Sequence, residues 1–283
     1  VFVCIGIAVV LGAVLTGFSM AGGHVHSLVH PSEIVTIGGA ALGALIASSP
    51  VKVLKDIVHG IIALVKGGNT GKKTYIDVLQ VLYHFFRIGR RDGLLAWESL
   101  LSEPPETVFG KYPRVSKDHH LLSFITGALT SASEGTEASQ LQEMLETEIR
   151  VMSQEHHAAT GALSRTADAL PGFGIVAAVL GIVITMQAID GPVEEIGHKV
   201  GAALVGTFLG ILLSYGVIGP MVGRMESMGS EELTLRKTIA SAIVGFVDGG
   251  TPKVVLDKAR RGIPTDARPS IQEMEELYKE VEK

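Results

Sequence analysis

What this 283-residue chain has least of is charge where it matters. Only 19% of its residues are charged, and whole stretches carry none. No charged residue precedes Glu33, none lies between Glu33 and Lys52, none falls in 169–189 and none in 200–223. A helix rises about 1.5 Å per residue, so about 20 apolar residues cross a hydrocarbon layer about 30 Å thick. Three of the windows are long enough outright, and the second spans with help from its flanks. Mean hydropathy is +0.37. The composition is that of an integral membrane protein.

Other absences narrow the class further. One cysteine, Cys4, set in an apolar run, excludes a disulfide framework and a cysteine-based zinc site. A net charge of −5 without a basic tract offers nothing to nucleic acid. The apolar runs are continuous Leu, Val, Ile, Gly and Ala rather than the alternating segments of about 10 residues that a membrane barrel needs. No β-pattern appears, and the expected fold is all-α.

What is present divides into four spans. The first runs from Val1 to about Met20 and is followed by a loop, 21–33. With no Lys or Arg before it, it does not read as a signal peptide. The chain opens on Val1 rather than methionine, so a residue or two before it is expected. Span two covers Ile34 to Ser49 and is rich in Gly and Ala, which let membrane helices approach closely. Span three is Leu170 to Ile189 and span four Val200 to Gly223. Of the 24 Lys and Arg, 13 lie in 50–168 and 10 in 224–283, while the loops 21–33 and 190–199 share only Lys199. The positive-inside rule, with Lys52, Lys55, Arg165 and Arg224 beside the spans, puts 50–168, the tail and both termini in the cytoplasm. The expected organisation is therefore spans one and two in 1–49 with an outer, periplasmic loop 21–33, and a cytoplasmic helical domain in 50–168. Spans three and four follow in 169–223 with an outer loop 190–199, then a cytoplasmic tail, 224–283.

The cytoplasmic segment reads as helices. Ile76, Val78, Leu79, Leu82, Phe85 and Phe86 make one broad apolar face. Leu94, Leu95, Trp97, Leu100 and Leu101 begin a second helix, expected to stop at Pro104-Pro105. A third covers about His119 to Thr130 and breaks at 131–136. From Glu137 the periodic run through Leu141, Met144, Leu145, Ile149 and Met152 meets no breaker before span three, which predicts one long helix leaving the membrane. The tail holds a helix around Glu231 to Phe246, and Ser270 with Glu273 forms a capping box.

The spans, bounded in this way, contain no Asp, Glu, Lys, Arg or His. Transporters and pumps usually hold an ionisable station inside the bilayer. Either this chain moves no ion, or another subunit brings the carboxylate. Pro171 and Pro220 fall near the inner ends of spans three and four, where each removes a backbone donor. They read equally as hinges or as plain kinks. Arg87, Arg90, Arg91, Asp92 and Glu98 crowd a glycine-punctured junction, either a solvated face or a surface working by charge complementarity. His24, His26 and His30 are too weakly framed for a metal site. Residues 67–74 lack the phosphate-loop spacing, and no nucleophile–base set appears. Neither an enzyme nor a cofactor or metal site is expected.

Two longer motifs carry a resemblance. Ala169-Leu-Pro-Gly-Phe-Gly-Ile-Val-Ala-Ala-Val-Leu-Gly181 and Val205-Gly-Thr-Phe-Leu-Gly-Ile-Leu-Leu-Ser-Tyr-Gly-Val-Ile-Gly-Pro220 closely resemble spans three and four of the MotA family of flagellar motor stator subunits. The opening 12–23, Pro31 to Ala41, Arg90 to Glu98, Tyr112-Pro-Arg114 and Arg268-Pro-Ser270 fall in family order, so the likeness covers nearly the whole chain. It implies a ring of five such chains in the bacterial inner membrane, around two copies of MotB, a single-span protein that brings the membrane aspartate. Protonation and release of that aspartate would move the ring, and the cytoplasmic domain would push on the rotor protein FliG. The residues that meet FliG match Arg90 and Glu98. The coupling prolines match Pro171 and Pro220, and the hydroxyl lining the ion path matches Thr207. Sodium-driven relatives carry a second Thr in span three, where this chain has Ala178, which implies H+ rather than Na+. The alternatives are an energiser of an outer-membrane system like TolQ or ExbB, whose three spans and outer N-terminus fit less well, and a membrane scaffold without ion flux.

Overall fold

The structure, a computed structural model, describes residues 2–68, 70–102 and 108–282. The expected stop at Pro104-Pro105 lies outside the described residues. Among the described residues the chain forms helices and no strand. In order these are α1 (Phe2–Met20), α2 (Pro31–Ser48), α3 (Val51–Lys66), α4 (Lys72–Asp92), α5 (Glu98–Leu101), α6 (Pro113–Ser116), α7 (His119–Ser133), α8 (Ala138–Gln187), α9 (Val193–Ile211), α10 (Gly219–Val247), α11 (Pro252–Arg261) and α12 (Ile271–Glu282). Single 3-10 turns occupy Val25–Leu28, Leu94–Trp97 and Phe109–Lys111, and Leu212–Ile218 is a π-helical segment joining α9 to α10.

Two compact units result. One holds the chain up to Gly67 together with Glu155–Ser227, the other Gly68–Gln154 together with the chain from Met228 onward. The first contains four helical stretches long and apolar enough to cross a membrane, as the charge-free windows predict. In α1 no residue is fully buried, and a half-buried stripe through Val3, Ile7, Val10, Leu11, Val14 and Phe18 marks the one face that packs inward. Span two starts earlier than expected. Pro31 opens α2 at a position where its missing N–H costs no hydrogen bond. The helix then buries Glu33, Ile37 and Ala41, one residue every four, on a single face. Ile37 and Ala41 pack there with Leu170 and Ala177 of α8. The amphipathic α3, which buries Ile57 and Leu64, belongs to this unit and was not expected as a separate helix.

The long-helix expectation holds: α8 runs unbroken for 50 residues with Pro171 inside it. The separate tail helix expected from Glu231 does not exist as such. From Val193 to Val247 the chain stays helical, through the π segment, so span four and the tail helix are one element. No Pro or Gly cluster interrupts 221–247 strongly enough to end it.

The second unit is built around α4. Of the face expected from the spacing, Val78, Leu79, Leu82, Phe85 and Phe86 are buried and Ile76 half-buried, and burial extends beyond it to Tyr75, Gln80, Val81 and Tyr83. Phe86 stacks on Phe246 with ring centroids 4.4 Å apart, and Trp97 stacks on Phe246 at 5.8 Å. The expected helix after Gly93 is instead a 3-10 turn followed by the single turn of α5. Residue Gly135, at φ +89°, closes α7 in a conformation that side-chain-bearing residues rarely adopt. The capping box forms, with the Ser270 N–H donating to Glu273 Oε2 at 2.6 Å and the Glu273 N–H to Ser270 Oγ at 3.2 Å. From that start α12 lies along α4, where Gln80 Nε2 donates to Glu280, Tyr83 Oη to Glu282 and Arg87 to the Val281 carbonyl.

Candidate functional site

The first unit brings α8 and α9 together along one narrow seam. On α8 the small residues Gly174, Ala177, Ala178 and Gly181 recur at three- and four-residue spacing, and on α9 Ala203, Gly206, Thr207 and Gly210 do the same. That pattern puts both sets on facing sides of two helices and lets the backbones approach. A Cβ on Gly174 would stand 2.8 Å from the Gly206 carbonyl and 3.2 Å from Thr207 Cα, and one on Gly181 would stand 2.6 Å from Ala203 Cβ. There is room here for a hydrogen and little else. Thr207 and Ala178 therefore share this seam, each half-buried.

The prolines sit differently from each other. Pro171 lies within continuous α8, where it leaves the Ala167 carbonyl without its usual partner. Pro220 is the second residue of α10, directly after the π segment. The Gly219 N–H donates to the Ser214 carbonyl, five residues back rather than four. A proline ring clashes with the carbonyl four residues before it, and the widened turn relieves that clash. The sequence singled out Pro220 but not this widening, for which Gly216, Gly219 and Pro220 together were the only hint.

Reading the sequence also missed Glu33. Assigned to the outer loop, it stands instead in the first turn of α2 and is 7% exposed. Its Oε2 has no hydrogen-bond partner among the described residues and lies 2.6 Å from where a Cβ on Gly206 would be. The signal was available: proline at a helix start followed by an acidic residue in the first turn. By contrast, Thr185 behaves as an ordinary membrane threonine, its hydroxyl donating to the Gly181 carbonyl at 2.8 Å.

Arg90 and Glu98 belong to the other unit, both exposed, at the end of α4 and the start of α5. What fixes them lies between. Trp97 is fully buried and donates its indole N–H to the Phe85 carbonyl at 2.7 Å. Its ring packs so close to Gly89 that a Cβ there would come within 2.9 Å. Of the charges around them, Arg87 holds the end of α12 and Arg91 pairs with Asp92 at 2.7 Å. That hydrogen bond keeps the Asp92 carboxyl below its ordinary range. Among the described residues, no group of three or more His, Cys, Asp or Glu side chains is arranged to hold a metal ion.

Four helices long and apolar enough to cross a membrane, with a close seam of small residues between α8 and α9, define a multi-span membrane protein. Two family profiles agree: residues 4–93 match "Motility protein A N-terminal", and residues 116–238 match the "MotA/TolQ/ExbB proton channel family". Among curated relatives, "Chemotaxis protein LafT" of Vibrio parahaemolyticus is 36% identical over 280 residues, covering 98% of both chains. "Motility protein A" of Salmonella typhimurium is 32% identical over 281 residues, covering 99% of this chain and 95% of the relative. Among solved structures, "Structure of C. jejuni MotAB" matches with a TM-score of 0.80 at 21% identity, covering 95% of this chain and 98% of that one. The chain belongs to the motility protein A family, within the MotA/TolQ/ExbB proton channel class. It is accordingly a multi-pass protein of the inner membrane.

Proposed function

We propose that this chain is the membrane-embedded stator subunit of a bacterial flagellar motor, conducting protons with a single-span partner of the MotB kind and turning that flow into torque on the rotor protein FliG. The observation that carries the reading is the α8–α9 seam, where Thr207 and Ala178 sit among glycines and alanines with no aspartate in reach from this chain's own α8 or α9. Such a seam suits a carboxylate brought by the partner. A proton needs only that carboxylate and a water, whereas Na+ wants several oxygen ligands, and at Ala178 there is no second hydroxyl.

In this reading Pro171 and Pro220 loosen α8 and the α9–α10 element where protonation is felt. Arg90 and Glu98 meet complementary charges on FliG. Five copies ring two copies of the partner, with the α4-centred unit and both termini in the cytoplasm. One charge crossing 100 mV is worth about 2.3 kcal/mol, several times thermal energy and enough to bias a step between packed helical states. An unpartnered charge in lipid costs more than that. The carboxylate therefore works inside the ring, with the apolar stretches of the helices as insulation.

The test is deletion of the gene, followed by electron microscopy and swimming assays on the same cells. Flagella that are present but motionless, and that turn again when this chain and its partner are restored, support the reading. Rotation should then stop with a protonophore and persist when Na+ is replaced by K+. Deleted cells that swim normally overturn it.

A further inference from the structure

The spans as read from the sequence hold no ionisable residue, yet the structure puts one there. Glu33 is more than nine-tenths buried, in the first turn of α2, and one of its carboxyl oxygens has no partner among the described residues. An ionised carboxylate without a partner is costly in such packing. The Glu33 Oε2 shares the space facing Gly206 with Ala177 Cβ and the Ala178 backbone nitrogen, neither titratable. His30, the residue that caps α2, stands one helical turn earlier, and its carbonyl accepts from the Glu33 N–H at 3.1 Å. The His30 ring Nδ1 is buried and has no partner among the described residues.

His30 in turn lines a cavity of about 1210 Å³ inside the same unit, together with His24, His26, Glu194 and His198 among apolar walls. The series is therefore cavity, imidazole, carboxyl, then Gly206 and its neighbour Thr207. Its last step depends on glycine, because any side chain at 206 would occupy the place of the Glu33 oxygen.

We propose that Glu33 is a proton-transfer residue supplied by this chain, passing protons from the His30-lined cavity to the α8–α9 seam. The step moves protons alone. The protonated Glu33 carboxyl gives its proton, through water, to the carboxylate beyond Gly206 and Thr207. His30, protonated from cavity water, returns a proton to Glu33 and is left neutral. No bond other than those to the moving protons forms or breaks. The inference rests on the proton-conducting reading above, with the acceptor being the partner's carboxylate.

The experiment uses the complex of this chain with its partner, reconstituted in vesicles containing a pH-sensitive dye. Loss of a positioned proton-transfer group typically lowers a rate by 100-fold or more, so Glu33→Gln should cut proton flux at least about tenfold with assembly intact. Glu33→Asp should keep part of the flux and shift its dependence on outer pH. Flux from Glu33→Gln within about twofold of the unaltered complex, with the same pH profile, overturns the proposal and leaves the stator reading standing. No flux from the unaltered complex overturns both. Should Glu33→Gln fail to assemble, the unaltered complex decides. Dicyclohexylcarbodiimide adds to protonated carboxyls in apolar surroundings, and mass spectrometry should find it on Glu33, in amounts that fall as outer pH rises. Glu33 unlabelled at every pH would sink the proposal.

Discussion

The Leu170 carbonyl lies 2.6 Å from the point where a Cβ on Gly210 would stand, and Gly174 Cα lies 3.0 Å from the same point. Both obstacles are backbone, which cannot rotate aside as a side chain can. Gly210→Ala must therefore push α8 and α9 apart along the seam that holds Thr207. Overpacking of this kind costs about 1–3 kcal/mol. The heat-unfolding midpoint of the detergent-solubilised complex should fall by several degrees, and swimming should fall with it. An unchanged midpoint would mean that the two helices do not approach this closely.

A second prediction concerns Trp97, which holds the ends of α4 and α5 together beneath Arg90 and Glu98. Trp97→Phe keeps a ring against Phe86 and Phe246 but takes from the Phe85 carbonyl its second donor, leaving it the helical N–H of α4. That costs about 0.5–1.5 kcal/mol. Trp97→Ala also empties the space and should cost about 3–5 kcal/mol. Thermal unfolding should rank the two variants in that order. If Trp97→Phe matches the unaltered chain, the indole hydrogen bond contributes nothing to stability.

Much of this could be read in the sequence, and the misses have physical causes. Charge-free windows report hydrocarbon thickness directly, so all four spans were legible. The unbroken α8 was legible because nothing between Glu137 and Gln187 stops a helix except Pro171, which long helices tolerate. Glu33 was missed because the first charged residue was taken as the end of a loop, whereas Pro31 makes it the start of a helix. The merger of span four with the tail helix was missed for a related reason: Pro220 reads as a stop unless a π turn accommodates it, and a π turn has no distinct composition. The helix α11 was not anticipated, although Thr251-Pro252 opens it and its basic last turn suits a helix end. Neither sequence spacing nor composition could pair Tyr83 with Glu282, residues 199 apart.

The third prediction follows from how α12 is held. At its start the Glu273 carboxyl is kept below its ordinary range by Lys72 first and by Ser270 after it. At its end the Glu282 carboxyl is kept low first by the Tyr83 hydroxyl and then by Lys253. A group with a depressed folded pKa contributes stability that is present above its unfolded value, about 4.3 for Glu, and lost as pH falls through the folded value. The docking of α12 should therefore hold at neutral pH and loosen below about pH 4. Hydrogen exchange followed by mass spectrometry, corrected for intrinsic rates, should show α12 amides losing protection in that window. In a Glu273→Gln, Glu282→Gln double variant the pH dependence should flatten. A double variant that loses protection over the same pH range as the unaltered chain would refute the assignment.

The last prediction separates a working surface from a solvated one. Arg90 and Glu98 are both exposed, and Arg87 and Arg91, beside Arg90, already have partners in Val281 and Asp92. If the exposed pair meets opposite charges on the rotor, one reversal leaves the other contact to hold register, because exposed charge pairs are individually weak, about 0–1 kcal/mol each. Reversing both removes the attraction and adds repulsion, which costs more than either loss alone. Arg90→Glu with Glu98→Lys should therefore impair torque in tethered cells far more than either single change, while unfolding midpoint and membrane abundance stay at the unaltered level. Reversal of the matching charges on the rotor should restore rotation. Full-speed rotation of the double variant would show that these two side chains do nothing but face water.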